Sequence, residues 1–372
     1  MQYHGTDIDG VSLDPETLAI RGVSITDLIG RYGYAEAVLL ILTGTPPRPD
    51  AAAALETAMT GWLTALAPDD PMLDIAARAA RAGAGMAQAV TAGLMAFPAD
   101  RAAAGFDLPG LPGGAGEGLA VGATVPALLA AWQAARADRP GPDPRDLPSD
   151  GFINAALVLL TGQAPDPAAR VFLDDVVATW TGGFGYLPPS IMIPRVSIGT
   201  AVPLYHALAA GFAAAGPMHI GATLGATQMI VAALNGQGSP DERIARVFAH
   251  VRSQGHRIGG FGHPLLVTDP RPPRLRARAD ELGLSHPALD IFDAACRVMA
   301  AEHDLRPNID FATGTAMVMA GVTDPGVAGG LAMMGRTAGM LAHVIERRDR
   351  PPFGVTSKDA RKYLDNVPKG WI

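Results

Sequence analysis

The chain has 372 residues, 48% of them hydrophobic, which is enough to bury a sizeable core and to build two lobes. Its 29 basic and 36 acidic residues leave a net charge of −7. That balance argues against nucleic acid as the main partner, because phosphate contacts need clustered Lys and Arg. The single cysteine, Cys296, excludes an intrachain disulfide and a cysteine-based metal site, and it fits a reducing, cytoplasmic setting.

In chain order, the opening MQYHGTDIDG lacks the basic segment and apolar run of a secretory leader. Residues 8–25 carry the one strand signal and predict a small hairpin. Residues 25–42 (ITDLIGRYGYAEAVLLIL) have helical apolar spacing and stop at Thr43-Gly44, with Pro46-Pro47 beyond. Residues 153–162 (INAALVLLTG) end in the same way before Pro165. Further helices are expected at 51–66, 73–95, 118–135, 167–180, 199–214, 220–235, 241–254, 273–283, 287–303, 311–321 and 325–347. The Pro- and Gly-rich stretches 97–117 and 137–150 read as surface connections; the first has neither the lysine nor the strand-turn-helix setting of a phosphate-binding loop. Residues 199–240 contain no Asp, Glu, Lys or Arg, but they are Ala- and Gly-rich and broken by Gly216-Pro217-Met218-His219. They read as two buried helices joined at a turn rather than membrane spans. The uncharged run 118–135 reads as another core helix. The class is therefore mostly α with a small N-terminal β element.

Of the nine histidines, His206 and His343 lie in apolar helices and read as satisfied core residues. Two others stand apart. His219 follows a Gly-Pro-Met turn at a helix start, and His263 follows Gly259-Gly260-Phe261-Gly262. A glycine turn brings backbone close to a ligand and fixes the side chain beyond it. A helix N-terminus favours neutral imidazole, which can donate to a carbonyl oxygen as charge builds there. The third feature is Asp310, the one acid in NIDFATGTAMVMAG; a helix N-cap would explain it without chemistry. Two histidines and one carboxylate suit proton abstraction beside a carbonyl. Arg271, eight residues after His263, suits a carboxylate-bearing partner, because its fork matches a carboxylate bidentately. The histidine spacing carries no metal signature, and no metal is assigned. Cys296, in DIFDAACRVMA, reads as a small buried hydrophobe.

These segments, in this order, resemble the citrate synthase superfamily. GPMHIGA is similar to GPLHGGA, GGFGHPLLVTDPR to GFGHRVYK-x-DPR, and NIDF-x-x-G to NVDFYSG. MMGRTAGMLAHVIERRDR resembles GRTVGWIAHWLEQ, and IRGVSITDLIGRYGYAEAVLLILTGTPP resembles the family's N-terminal RG-x-x-I-x-x-L pattern. The resemblance implies a two-lobe helical homodimer that closes over its substrates, with residues 1–218 and 322–372 in a large domain and 219–321 in a small one. It implies that His219 stabilises a thioester enol, Asp310 removes the α-proton, and His263 binds and protonates the acceptor's keto group. Arg271 would grip the acceptor's carboxylate, with Arg350 as a looser match to a second substrate arginine. CoA thioester enters as substrate, with no tightly bound cofactor, and a keto acid or citrate-like acid as its partner.

The chain departs from the pattern where the family carries DH-x-x-N-x-ST-x-x-AR, whose histidine binds oxaloacetate. Here the segment is FGYLPPSIMIPRV, with Phe184-Gly185 in place of Asp-His. Gly185 would leave room for a bulkier, less charged acceptor. Ile220 replaces the glycine that follows the first histidine. Two functions are therefore expected: synthase- or lyase-type chemistry on an acyl-CoA, or a catalytically inactive homologue that binds CoA esters and carboxylates in regulation.

Overall fold

The computed structural model describes residues 6–13, 16–98, 110–263 and 265–348. The protein is mostly helical, with one small sheet. The sheet is an antiparallel meander of β1 (Asp9–Leu13), β2 (Glu16–Ile20) and β3 (Val23–Ser24), with Asp9 opposite Ile20 and Ile20 opposite Val23. Arg21 and Gly22 join the last two strands with φ of 49° and 82°, the doubly left-handed turn whose twist matches a hairpin. Arg21 Nε donates to the Ile41 carbonyl at 2.9 Å and ties the sheet to the helices. The expected hairpin thus gains a third short strand.

Sixteen α-helices follow among the described residues. They are α1 (Ile25–Leu28), α2 (Tyr34–Thr43), α3 (Pro49–Thr64), α4 (Pro71–Arg81), α5 (Met86–Leu94), α6 (Ala115–Arg136), α7 (Phe152–Thr161) and α8 (Pro167–Thr179). The rest are α9 (Pro189–Ile198), α10 (Leu204–Ala213), α11 (Gly221–Leu234), α12 (Pro240–Ser253), α13 (Arg271–Glu281), α14 (Pro287–His303), α15 (Ile309–Met319) and α16 (Pro325–Arg348). Gly44 and Gly162 cap α2 and α7 in the left-handed region, as their LTG endings predict.

Three expectations change. The helix expected over 25–42 is two helices, because Gly30 turns at φ 80° and α2 restarts from a capping box in which Glu36 accepts from the Gly33 N–H at 3.0 Å. The helix expected over 73–95 breaks in the same way at Gly83, φ 88°. Residues 199–214 become helical only after Pro203. One helix is unexpected: α9 starts at Pro189 and holds Pro194 inside. Its first proline sits where no N–H is needed, so it fits the helix start. The second deprives one carbonyl of its donor, and that masked the helix in the sequence.

The core is organised around α16, almost wholly buried, which packs against α2, α6, α9, α10 and α11. α6 is long and apolar enough to cross a membrane, but it is a core helix buried within the fold. α10 and α11 are the two apolar helices expected from 199–240. Residues 216 and 219 close the turn between them through paired backbone hydrogen bonds of 2.9 Å. α11 lies against α15, and Gly314 makes the close approach possible: a Cβ there would stand 2.8 Å from the Thr227 nitrogen. Cys296 is partly buried, and burial pushes its thiol up to about 12, which keeps it protonated and inert.

Candidate functional site

His219 ends the turn before α11, and its Nε2 lies 2.9 Å from Ser190 Oγ. Ser190 is fully buried in the first turn of α9. Burial, and then the Arg336 guanidinium, push the His219 pKa down to about 4, so the ring is neutral at pH 7. The next residue, Ile220, is buried with φ 77°, a left-handed backbone that a β-branched side chain rarely adopts. Such strain persists only where the surroundings over-determine it, and it sits here directly beside His219.

His263 lies in the loop before α13. Its Nδ1 accepts from the backbone N–H groups of Leu265 at 3.2 Å and Leu266 at 3.0 Å. Two donors on Nδ1 fix the neutral tautomer with its proton on Nε2. Burial and then Arg271 lower its pKa, against the opposing pull of Asp269 and Glu16. The loop is held from the N-terminal sheet, where Glu16 Oε1 accepts from the Val267 N–H at 2.8 Å.

Asp310 is in the first turn of α15. The cap there is Asn308, whose side chain accepts from the Asp310 N–H at 3.0 Å, so the N-cap reading of Asp310 does not hold. The Asp310 carboxylate instead accepts from Thr223 Oγ1 of α11 at 2.5 Å. Burial raises its pKa, partly offset by that hydrogen bond and by Arg271, which makes it a stronger base than a solvated aspartate. The loops bearing His263 and Asp310 are stitched together. Asn308 Nδ2 donates to the Gly262 carbonyl at 2.8 Å and Asn308 N to the Gly260 carbonyl at 2.9 Å. Asp269 accepts from the Ile309 N–H at 2.9 Å.

Arg271 is buried and grips Asp269 bidentately, Nε at 2.9 Å and Nη2 at 2.8 Å. Two of its three nitrogens are therefore committed within its own loop, and only Nη1 lies outside the pair. Burial alone would raise Asp269, but Arg271 and its hydrogen bonds hold it below the usual carboxylate range. Arg350 lies outside the described residues. The Gly185 N–H is committed to the Asp9 carboxylate at 2.8 Å.

Sequence reasoning missed three site residues. Arg336, on α16, is buried; its Nη1 donates to the Gly182 carbonyl and its Nε has no hydrogen-bond partner. Burial and then Arg271 bring its pKa down to about 10. Its signal was the lone arginine in an apolar run, MMGRTAGM. Ser190 stands at the serine of the DH-x-x-N-x-ST pattern, counted from 184. Asp9 left no signal beyond one acid in a strand. It is fully buried and accepts from the N–H groups of Gly183, Phe184 and Gly185 at 2.5, 2.8 and 2.8 Å. His343 Nε2 lies 2.9 Å from its other face, and Arg195 Nη1 lies 3.1 Å from His343 Nδ1. His343 is thus a satisfied core residue, as expected, within a buried polar network.

The fields of these groups overlap. Arg336 acts on His219 and Asp310, and Arg271 acts on His263, Asp310 and Arg336. A neutral imidazole, a fixed Nε2–H donor, a raised carboxylate and a buried guanidinium can together enolise a carbonyl compound and hold an anion. Among the described residues, no group of three His, Cys, Asp or Glu could hold a metal.

The family model for citrate synthase, C-terminal domain, matches residues 1–352. Among solved structures, the chain is similar to citrate synthase from Pyrobaculum aerophilum, with 21% identity over 93% of this chain and 88% of that one, and a TM-score of 0.70. It is also similar to citrate synthase from the thermophilic archaeon Thermoplasma acidophilum, in a ternary complex with carboxymethyl coenzyme A and oxaloacetate. That match has 19% identity over 94% and 91% of the chains and a TM-score of 0.72. A third is citrate synthase from Thermotoga maritima, at 17% identity over 91% and 87%, with a TM-score of 0.64. A comparison with curated proteins finds no match. The family match runs through every segment that carries His219, His263, Asp310 and Arg336, on a fold shared with three citrate synthases, and the chain therefore belongs to the citrate synthase family.

Proposed function

We propose that the protein makes or breaks a carbon–carbon bond on an acyl-CoA thioester through an enol, with a keto acid as the second reactant. Asp310 takes the α-proton of the thioester. In this reading Ser190 is the donor to His219 Nε2, and the neutral ring carries its proton on Nδ1 and offers it to the thioester oxygen as the enol forms. The enol carbon attacks the keto carbon. His263, with its proton on Nε2, hydrogen-bonds the keto oxygen and supplies the proton that makes it a hydroxyl. Arg336 and the outward nitrogen of Arg271 hold the acceptor's carboxylate. In the lyase direction the same groups act in reverse. CoA is a substrate in this reading, and no resident cofactor or metal takes part.

The observation that carries the reading is Asp310. Its capping role is taken by Asn308, yet its half-buried carboxylate is kept with a raised pKa in the field of the Arg271 and Arg336 guanidiniums. A relative's complex with a CoA analogue and oxaloacetate supports the substrate classes. The large domain is taken as 1–218 with 322–372 and the small one as 219–321, closing over substrate to exclude water. Exposed Met192, Ile193 and Val196 on α9 support a homodimer, which light scattering of the purified chain would test. The setting is cytoplasmic.

The test is solvent deuterium exchange into acetyl-CoA and propionyl-CoA, with and without a keto acid to close the lobes. Wild type exchanges, and Asp310→Asn does not. Equal exchange by both would refute the carboxylate's role. A second reading, an inactive homologue that binds CoA esters in regulation, is favoured by the loss of the polar pair at 184–185. It expects CoA-ester binding with no exchange in wild type.

A further inference from the structure

We propose that Phe184 determines acceptor specificity, and that the acceptor is a 2-oxo acid with one carboxylate and an apolar side chain. This deepens the reading above and rests on it. Three backbone N–H groups in a row, those of residues 183–185, converge on one point. Such a nest ordinarily receives an anion. Here it is filled by the protein's own carboxylate, Asp9, whose Oδ1 also lies 2.9 Å from His343 Nε2. A second substrate carboxylate therefore finds these three donors already taken.

The same clamp holds Phe184 at φ 56° and Gly185 at φ 103°. A phenylalanine in the left-handed region is strained, and the Asp9 hydrogen bonds hold it there. The result is an aromatic ring carried into the charged site. It lies over the Arg271 guanidinium, 5.1 Å from ring centroid to Cζ, and its edge reaches the α-carbon side of Gly182, the residue whose carbonyl takes Arg336. The ring thus touches Arg271 on one side and, on the other, the loop glycine that Arg336 binds.

The charge balance points the same way. Arg271 is ion-paired with Asp269, while Arg336 keeps a buried Nε without a partner. Arg336 thus has a donor to offer one carboxylate, and Phe184 gives an aromatic wall to the remainder of the acceptor.

The test reads binding, not turnover, so it is independent of whether the enol chemistry occurs. Calorimetric titration of the full chain would compare pyruvate, 2-oxobutyrate, 4-methyl-2-oxopentanoate and phenylpyruvate with oxaloacetate and 2-oxoglutarate. The branched or aromatic monocarboxylates should bind at least about tenfold more tightly than oxaloacetate. Phe184→His, which tolerates the left-handed backbone, should move that ratio about tenfold toward oxaloacetate. Phe184→Ala should weaken the apolar acids and leave oxaloacetate unchanged, with melting curves showing that both variants fold. Tighter binding of oxaloacetate by wild type, no binding of any 2-oxo acid, or a ratio that neither variant moves would each overturn the proposal. Loss of deuterium exchange alone would instead refute the proposed reaction and leave this binding preference standing.

Discussion

Gly314→Ala puts one methyl group between the two helices that assemble the site. Its Cβ would lie 2.8 Å from the Thr227 nitrogen, 3.0 Å from Ala226 Cβ and 3.1 Å from the Ala226 carbonyl carbon. Two of these neighbours are backbone, so no rotamer change relieves the clash. Restoring ordinary contact at roughly 3.4 Å moves α11 and α15 apart by about 0.6 Å. Overpacking against fixed backbone costs about 2–3 kcal/mol, and replacing helical glycine by alanine returns about 1 kcal/mol. The net loss is about 1–2 kcal/mol. The same shift stretches the hydrogen bond from Thr223 to Asp310 toward roughly 3 Å, the long end of the normal range, so the carboxylate is held more loosely. Gly61→Ala is the control: it lies in α3, exposed, with nothing within 4 Å of the added Cβ, and should gain up to about 1 kcal/mol. Urea denaturation of both variants reads the signs, and α-proton exchange reads the site. If Gly314→Ala gains stability as Gly61→Ala does and exchanges at the wild-type rate, the close approach of α11 and α15 is not what positions Asp310.

The other expectations concern charge. The His219 pKa is depressed in the fold to about 4 from an ordinary 6.5, so the unfolded chain binds more protons between those values. This histidine therefore lowers stability as pH falls from 6.5 toward 4, and His219→Asn should flatten that part of the profile in urea melts at pH 7 and pH 5. Equal slopes in variant and wild type would sink the neutral-imidazole assignment. Asp9→Asn puts an amide N–H where the carboxylate accepts, breaking either the His343 contact or part of the clamp on 183–185, at a cost of about 3 kcal/mol measured by denaturation. A loss below about 1 kcal/mol would mean that the network is not a structural anchor.

Much of the fold is legible in local signals. The LTG caps, the proline helix starts and the apolar periodicity place most helices within a few residues, because each depends on a few neighbouring dihedrals. Errors fell where glycine and proline act against the hydrophobic pattern: Gly30 and Gly83 cut helices that the apolar spacing runs through, and Pro194 hid one that tertiary packing stabilises. His219, His263 and Asp310 could be singled out because glycine turns and a lone acid mark them. The partners that set their protonation could not. Ser190, Thr223 and Arg336 lie 29, 87 and 26 residues from the groups they serve, the last counted from Asp310 as the difference of their numbers.

By itself the sequence determined the helical class, the order of the motif-bearing segments and the residue types available for enolisation. Tertiary structure alone decided which nitrogen of His263 carries the proton, that Asn308 rather than Asp310 caps α15, and that Arg271 is already bound to Asp269. It also put a strand aspartate into the nest of residues 183–185, from which it presents Phe184 to the site. The reason is physical: helix propensity is a property of adjacent residues, whereas desolvation and charge pairing depend on what long loops bring within a few ångströms.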